Sequence, residues 1–186
     1  MLTRLLIWIL TVELVQSPPL RRPEKLPWAP EVRCELNAAH PEGLHPDAYR
    51  ALERLAVAHR ITQGINHSSD RGNVHDTDGV IHGIPYTGAA DISVRCLTIS
   101  QVKMLLARLA LAGFAAWYRN NGQDGWTGPR HIHAVWAGCR LKPVLQQQVE
   151  SWLSGGNGLY GNPPYRFWQP SAEMREKVGT LYRSAN

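Results

Sequence analysis

The sequence predicts a single α+β domain with a small, mostly antiparallel sheet flanked by helices. Two observations carry this prediction. The predicted elements follow the order helix, short strands, helix, strand pair and helix, which is typical of α+β domains. The chain has 186 residues, of which 44% are hydrophobic, so it can bury one core, and its length favours one domain over two.

Hydrophobic periodicity and turn-forming residues define the predicted elements. Ala48, Leu52 and Leu55 recur at helical spacing in the first helix, and Asp78–Gly79 ends a polar stretch with a turn signal. In chain order the elements are a helix at 46–59, strands at 61–65, 80–84 and 89–94, a helix at 101–112, strands at 114–118 and 131–137, and helices at 143–153 and 173–182.

Capping residues support the later helices. Ser100 is a predicted N-cap and Gly113 a predicted C-terminal stop for the second helix. Pro143 suits the first turn of the third helix, where its missing N–H costs nothing. Between the last two helices, residues 154–170 are rich in Gly, Pro and aromatics, and we expect a packed surface arm there.

The N-terminal region predicts an exported protein. Residues 1–17 carry a basic residue and a short apolar run, as a secretory signal or anchor does, although Glu13 interrupts the run. The apolar run at 5–15 is too short to span a bilayer, which needs about 20 residues. Residues 18–31 read as a Pro-rich tether, and residues 32–186 as the folded domain. We expect a periplasmic or extracellular protein, with the N-terminal segment as a candidate membrane tether.

The composition limits which kinds of binding partner we expect. Lys and Arg outnumber Asp and Glu by 20 to 15, which suits an anionic partner, but no basic run interleaved with aromatics indicates nucleic-acid binding. Three cysteines are too few for a disulfide framework. A bridge between Cys96 and Cys139 and two separate buried thiols are both compatible with the sequence. Nothing in the sequence predicts the oligomeric state.

Histidines and one aspartate form the candidate metal site. His131 and His133 lie two residues apart in a strand, so their imidazoles share one face. Asp91 begins an apolar strand, where an ionised carboxylate is costly unless it is paired or coordinated; the alternative is a turn or cap carboxylate. Catalytic zinc takes three such protein ligands and one water. His75 and His82 are both candidates for the third ligand.

The segments ITQG, YTGAADISV and HIHAVWAG, within residues 61–137, resemble the zinc D-Ala-D-Ala carboxypeptidase and hedgehog-type superfamily. The resemblance implies a hedgehog/DD-peptidase fold and a zinc metallopeptidase that cleaves peptide bonds of peptidoglycan stem peptides in the cell wall. It also implies that Asp91 and His133 are zinc ligands and that His131 is the catalytic histidine. The alternatives are a non-catalytic zinc-containing relative that binds wall peptides or a protein partner, and a plain α+β domain with coincidental histidines.

Three departures from the family pattern bear on the site. The family's first histidine precedes its aspartate by seven residues, whereas His82 lies nine and His75 sixteen residues before Asp91. The substrate-contacting arginine that follows the ITSG-like strand is absent. Arg71 and Arg130 are the substitutes for substrate binding. No carboxylate stands three residues before the last histidine, so the base is His131 or, less directly, Asp124 on the 119–130 loop.

Overall fold

The computed structural model describes residues 35–66 and 73–186, and the fold it shows is α+β, as the sequence predicted. The elements are four helices and six strands: α1 (Pro46–Arg54), β1 (Ile61–Gln63), β2 (Gly79–Ile81), β3 (Ile84–Tyr86), β4 (Ala89–Ser93), α2 (Ile99–Ala112), β5 (Phe114–Arg119), β6 (His131–Trp136), α3 (Pro143–Leu153) and α4 (Ala172–Ala185). The predicted signal, the tether and Arg71 lie outside the described residues.

A four-stranded antiparallel sheet in the order β1-β4-β6-β5 forms the centre of the domain. Its register sets the site, because Asp91 on β4 pairs with His133 on β6, and Trp117 on β5 pairs with His133 from the other side. Side chains at paired positions lie on the same face of a sheet, about 5 Å apart. The sheet therefore brings an aspartate and a histidine together that are 42 residues apart in the chain.

Helices cover the sheet through a continuous apolar core. Helix α2 packs on β5 and against α4, while α3 packs on β5 and β6. The largest side chains of this core are fully buried, and they come from both layers: Trp117, Trp152, Phe114, Leu52, Ile61, Ile92, Leu105, Leu106, Leu109, Ile132, Leu145 and Val57. None of the helices in the described part of the chain is long and apolar enough to cross a membrane.

Two helix ends differ from the prediction. Helix α1 ends at Arg54 rather than at residue 59, because Ala56 has a left-handed backbone (φ 55°) that a helix cannot accommodate. The N-cap of α2 is Thr98, not Ser100. The Thr98 hydroxyl accepts a hydrogen bond from the Gln101 backbone N–H, and the Thr98 backbone N–H donates one to the Gln101 side-chain oxygen, which completes a capping box.

The hairpin β2–β3 replaces the single strand predicted at residues 80–84. Its two-residue turn is His82–Gly83, and both residues have positive φ, as tight hairpin turns require. The predicted turn at Asp78–Gly79 was wrong, because Gly79 already belongs to β2. The hairpin lies between His75 and Asp91 in the chain and accounts for their wide spacing.

The cysteines do not form the Cys96–Cys139 bridge that the sequence allowed. Cys139 is a free, buried thiol, whereas Cys96 is disulfide-bonded. The two residues follow β4 and β6, which run antiparallel, so they lie at opposite ends of the sheet. Burial raises the pKa of the Cys139 thiol to about 12, which makes it unreactive at neutral pH.

Candidate metal centre

His75, Asp91 and His133 offer three ligand atoms that lie within 4.8 Å of one another, and this group could hold a metal ion. His75 Nε2 lies 3.2 Å and His133 Nδ1 lies 3.0 Å from Asp91 Oδ1. Ligand atoms bonded to a tetrahedral ion at about 2 Å are about 3.3 Å apart, so the spacing suits such an ion. The two histidine side chains are 5% exposed, and Asp91 is 17% exposed, so one side of the group stays open.

Hydrogen bonds behind the imidazoles fix which ring nitrogen faces the group. His75 Nδ1 lies 3.0 Å from the carbonyl oxygen of Gly64, which can only accept, so Nδ1 carries the proton. Gln148 donates its amide to the carbonyl oxygen of Gly158, which turns its own oxygen toward His133 Nε2 at 3.0 Å. His133 must therefore donate from Nε2. In each ring the other nitrogen faces Asp91, and it is the nitrogen that could bind a metal ion.

The ionisation of the group also suits a metal site. Burial acts to raise the pKa of the Asp91 carboxyl, but hydrogen bonds and charge from His133 and His75 outweigh it and hold that pKa well below its usual range. Burial lowers the pKa of His133, against the pull of Asp91. The ring nitrogens that face Asp91 share protons with its carboxylate when no metal is bound, and a metal ion would take the place of those protons. Metal ligands need the deprotonated state.

His131 lies at the open side of the group. It shares a face with His133, as the H-x-H spacing predicted, and its Nε2 lies 3.5 Å from Asp91 Oδ1. Its Nδ1 donates to the carbonyl oxygen of Pro129 at 2.9 Å, which directs the Nε2 lone pair toward the group. Trp126 packs edge-on against the His131 ring at 5.2 Å. His131 is thus oriented by its neighbours but is not one of the three converging residues.

A cleft of about 290 Å³ opens onto the group. Its lining consists of Gln63, Val74, His75, Asp91, Arg119, Trp126, His131, His133, Gln148 and Leu159. Asp91 is the one carboxylate among these residues. A larger groove of about 590 Å³ lies between α3 and the arm after it, and it shares Gln148 and Leu159 with the cleft. The two cavities therefore meet at Gln148, the residue that contacts His133.

The structure brings together some of the predicted site residues and separates others. His75 joins the group, whereas His82 is exposed in the hairpin turn, so the alternative ligand is excluded by its position. Arg130 is exposed and does not line the cleft. Asp124 lies outside the cleft lining as well. Trp126 lines the cleft, whereas Tyr86 is buried against His45 and lies outside the cleft lining.

Three groups that contribute to the site were not predicted from the sequence. Gln148 and the Gly64 carbonyl orient the imidazoles, and Arg119 contributes a buried cation to the cleft wall. Arg119 pairs with His131 across β5 and β6, so the register is the signal that identifies it. Gln148 is the third of three consecutive glutamines, and only the packing of α3 separates it from the others.

Comparisons with known proteins give no family assignment. No protein-family model, no curated protein and no solved structure matches this chain. A function for this protein therefore has to be inferred from the geometry of the metal group and its cleft.

Proposed function

We propose that this protein is a zinc-dependent peptidase or amidase that cleaves peptide bonds of peptidoglycan stem peptides. The observation that carries the proposal is the convergence of His75 Nε2, Asp91 Oδ1 and His133 Nδ1 at the floor of an open cleft. Structural zinc sites use four protein ligands, whereas catalytic sites use three and keep a position open for water and substrate. Three ligands beside a cleft fit the catalytic type.

The donor set supports zinc. Two imidazole nitrogens and one carboxylate oxygen are the ligands of many hydrolytic zinc sites, and an all-oxygen set would suit magnesium or calcium instead. Each histidine ligand also donates its second nitrogen to an oxygen, as metal-binding histidines usually do. The chemistry that the ion supplies when bound is a water nucleophile available at neutral pH and a polarised scissile carbonyl.

His131 is the residue we assign to proton transfer. Its Nδ1–H is held by the Pro129 carbonyl, so the free Nε2 is presented to the reaction space beside Asp91. Imidazole exchanges protons near neutral pH, so His131 can accept one from the attacking water and return it to the leaving amine. Within the described cleft lining, Asp91 is already committed to the metal group.

The shape and chemistry of the surroundings support a peptide as substrate. The groove beside α3 is lined mainly by amides and hydroxyls, including Gln147, Ser151, Ser154 and Asn162. Such groups suit the alternating donors and acceptors of a peptide backbone. The net charge of +5 suits a wall polymer that carries carboxylates. The disulfide at Cys96 favours an oxidising, exported location.

The second candidate is a non-catalytic zinc-containing relative that binds wall peptides or a protein partner. One observation favours it: apart from Asp91, the described lining of the cleft provides no carboxylate that could act as a base. In that case the metal group would serve stability and binding, and His131 would only complete the wall of the cleft.

Digestion of purified muropeptides separates the two candidates. The zinc-loaded chain should release a fragment that mass spectrometry identifies as the product of one amide cleavage, and His131→Ala should retain zinc but lose most of that activity. The test covers about pH 5 to 9, the range in which imidazole and zinc-bound water titrate. If zinc-loaded wild-type protein cleaves no muropeptide in this range, the peptidase proposal is wrong and the non-catalytic binding protein is favoured.

A further inference from the structure

The groove between α3 and the arm after it differs from the metal cleft in the charge of its lining. Its volume of about 590 Å³ lies within the usual range of ligand-binding cavities. The described lining offers amides, hydroxyls and one carboxylate, that of Glu150, and it includes no Lys, Arg or His side chain. The metal cleft, by contrast, is lined by Arg119 and three histidines. A groove without a cation favours an uncharged polar ligand over a carboxylate or a phosphate.

Tyr160 adds a flat aromatic surface to this groove. The residue lines the groove and is fully exposed, so the packing of the protein leaves the faces of its ring uncovered. A tyrosine ring has apolar faces and a polar tip, and it provides a large contact area at little cost in conformational entropy. A pyranose sugar presents C–H groups on its faces and hydroxyls around its edge. Such a sugar can stack on Tyr160 while its hydroxyls reach the polar lining.

Two polar side chains of α3 belong to the same groove. Gln147 and Glu150 lie three residues apart, so they share one side of the helix. Glu150 Oε1 accepts a hydrogen bond from the Tyr182 hydroxyl at 3.0 Å, and its other oxygen can accept one from a ligand. The Gln147 amide offers two donors and an acceptor. Sugar hydroxyls both donate and accept, so they match this pair. Val144, one turn before Gln147, adds an apolar contact that suits the methyl of an N-acetyl group.

Hydrogen bonds hold the arm that carries this tyrosine. The Asn162 side-chain oxygen accepts hydrogen bonds from the Ser151 hydroxyl and the Gly158 N–H, so the arm is tied to α3. Asn157, which is fully buried, donates its side-chain amide to the carbonyl oxygen of Asp124 at 2.7 Å. The arm is thereby tied to the loop before β6 as well. Because the arm is already ordered, ligand binding costs little conformational entropy there.

We propose that the groove beside α3 binds the glycan strand that carries the stem peptide, with an N-acetylated sugar stacked on Tyr160. This inference rests on the proposed function, which supplies a substrate that joins sugar and peptide in one molecule. The groove meets the metal cleft at Gln148 and Leu159, so the sugar and the adjoining peptide units can lie in the groove while the scissile bond lies in the cleft. Two joined ligand parts strengthen each other's binding. The protein should therefore prefer glycan-linked peptides over free peptides.

Calorimetry with an uncharged sugar tests the groove by itself. The probe is triacetylchitotriose, the trimer of N-acetylglucosamine, and the control ligand is maltotriose, which has no N-acetyl groups. Both are titrated into the zinc-loaded chain. We expect maltotriose to bind about tenfold more weakly than the probe, because it lacks the contacts of the acetyl groups. Tyr160→Ala should weaken binding of the probe about 3- to 10-fold, whereas Tyr160→Phe, which keeps the ring, should retain most of the affinity.

A pair of peptides tests the link to the substrate. The ligands are a stem pentapeptide and the same pentapeptide joined to its disaccharide of N-acetylglucosamine and N-acetylmuramic acid. In a His131→Ala background, which slows any turnover, the disaccharide form should bind about tenfold more tightly. Tyr160→Ala should bring the two affinities together. Ile84→Ala is the matched control, because Ile84 is an exposed apolar residue outside the groove, and it should keep the full preference. Melting temperature verifies that each variant is folded.

The outcomes distinguish the sugar site from the proposed function. No binding of triacetylchitotriose, equal binding of maltotriose, or a glycan preference that survives in Tyr160→Ala overturns the sugar site, while cleavage of muropeptides would still support the peptidase. Binding of the trimer without a preference for the glycan-linked peptide also overturns it, because the groove then serves a free glycan such as chitin. A preference that depends on Tyr160, without cleavage of any muropeptide, supports the sugar site and removes the peptidase function.

Discussion

Two aspartates with largely buried side chains, Asp78 and Asp91, have opposite surroundings. Asp78 is 0% exposed and accepts hydrogen bonds from the backbone N–H groups of Gly88 and Lys142 and from the Thr87 hydroxyl; the ammonium of Lys142 lies 3.4 Å away. Each of these groups is a donor. Asp78 therefore ties β2 and β4 to the start of α3, and its negative charge is balanced by groups that belong to the fold.

Asp91 faces imidazole nitrogens instead. Each of its three imidazole neighbours has its other ring nitrogen beside an oxygen, so the second nitrogens of His75, His131 and His133 point toward one carboxylate oxygen. These nitrogens can bind either a proton or a metal ion, whereas the groups around Asp78 can only donate. The chemistry of the neighbouring groups, rather than burial, therefore distinguishes a carboxylate that holds the fold from one that serves a site.

The largest expected effect is on metal affinity. Asp91→Ala removes the shared ligand, so the chain should lose its bound zinc and all peptide cleavage while keeping its fold. Mass spectrometry of the native protein measures the metal, and circular dichroism checks the fold. His82→Ala serves as the control and should keep about one zinc per chain, because His82 lies in the hairpin turn. If Asp91→Ala binds zinc as the wild type does, Asp91 is not a metal ligand.

Next in size is the effect on turnover. His131→Ala should lower kcat by about 10²- to 10⁴-fold, the usual contribution of a general acid or base, with bound zinc unchanged. Steady-state kinetics on a muropeptide measures this loss. A rise in KM without a fall in kcat would instead assign His131 to substrate positioning.

Asp78→Ala tests whether Asp78 stabilises the fold without contributing to the metal site. The change leaves the Lys142 ammonium and several N–H groups without their acceptor, so the free energy of unfolding should fall by about 3 kcal/mol. Urea denaturation measures that loss. Zinc affinity of the folded fraction should stay at the wild-type value, and a parallel loss of zinc would show that the two aspartates are not independent.

A smaller effect is expected from the residue that orients His133. Gln148→Leu removes the acceptor for His133 Nε2 while preserving bulk, and such changes weaken metal binding by about 10- to 100-fold. Competition with a chromogenic chelator measures the affinity. Gln147→Leu, one position away on α3, is the matched control. It should leave zinc affinity unchanged, although it lines the neighbouring groove.

Acid should release the metal gradually. The pKa of His133 is lowered in the folded state by burial, so the folded chain binds fewer protons than the unfolded chain below about pH 6.5. Stability and zinc affinity should therefore both fall as the pH drops from about 7 to 5, because protonated imidazole cannot bind metal. The pKa of Asp91 lies lower still, so its protonation adds nothing in this range. Titration of zinc affinity against pH measures the effect.

Local pattern predicted much of the fold. Helix α3 has the predicted bounds at Pro143 and Leu153, because apolar period and an N-terminal proline are local signals. The shared face of His131 and His133 follows from strand alternation alone. The choice between His75 and His82 did not follow, since it depends on whether Asp78–Gly79 or His82–Gly83 makes the turn. Both dipeptides suit a tight turn, and the packing of Asp78 decides between them.

The contributors that sequence reasoning missed depend on long-range pairing. Arg119 enters the cleft because β5 pairs with β6 in a register that sets it opposite His131. Its burial against Trp117 and Trp126 needs the loop between those strands to fold back. No hydrophobic period or residue spacing near Arg119 predicts its position in the cleft. The H-x-H spacing, by contrast, predicts that His131 and His133 share a face.

Anomalous diffraction from a zinc-soaked crystal tests whether His75 Nε2, Asp91 Oδ1 and His133 Nδ1 bind one metal ion. We predict one strong peak per chain, within about 2.2 Å of His75 Nε2, Asp91 Oδ1 and His133 Nδ1 and with no fourth protein ligand. A peak at His82, or a fully soaked crystal with no peak beside Asp91, would contradict it.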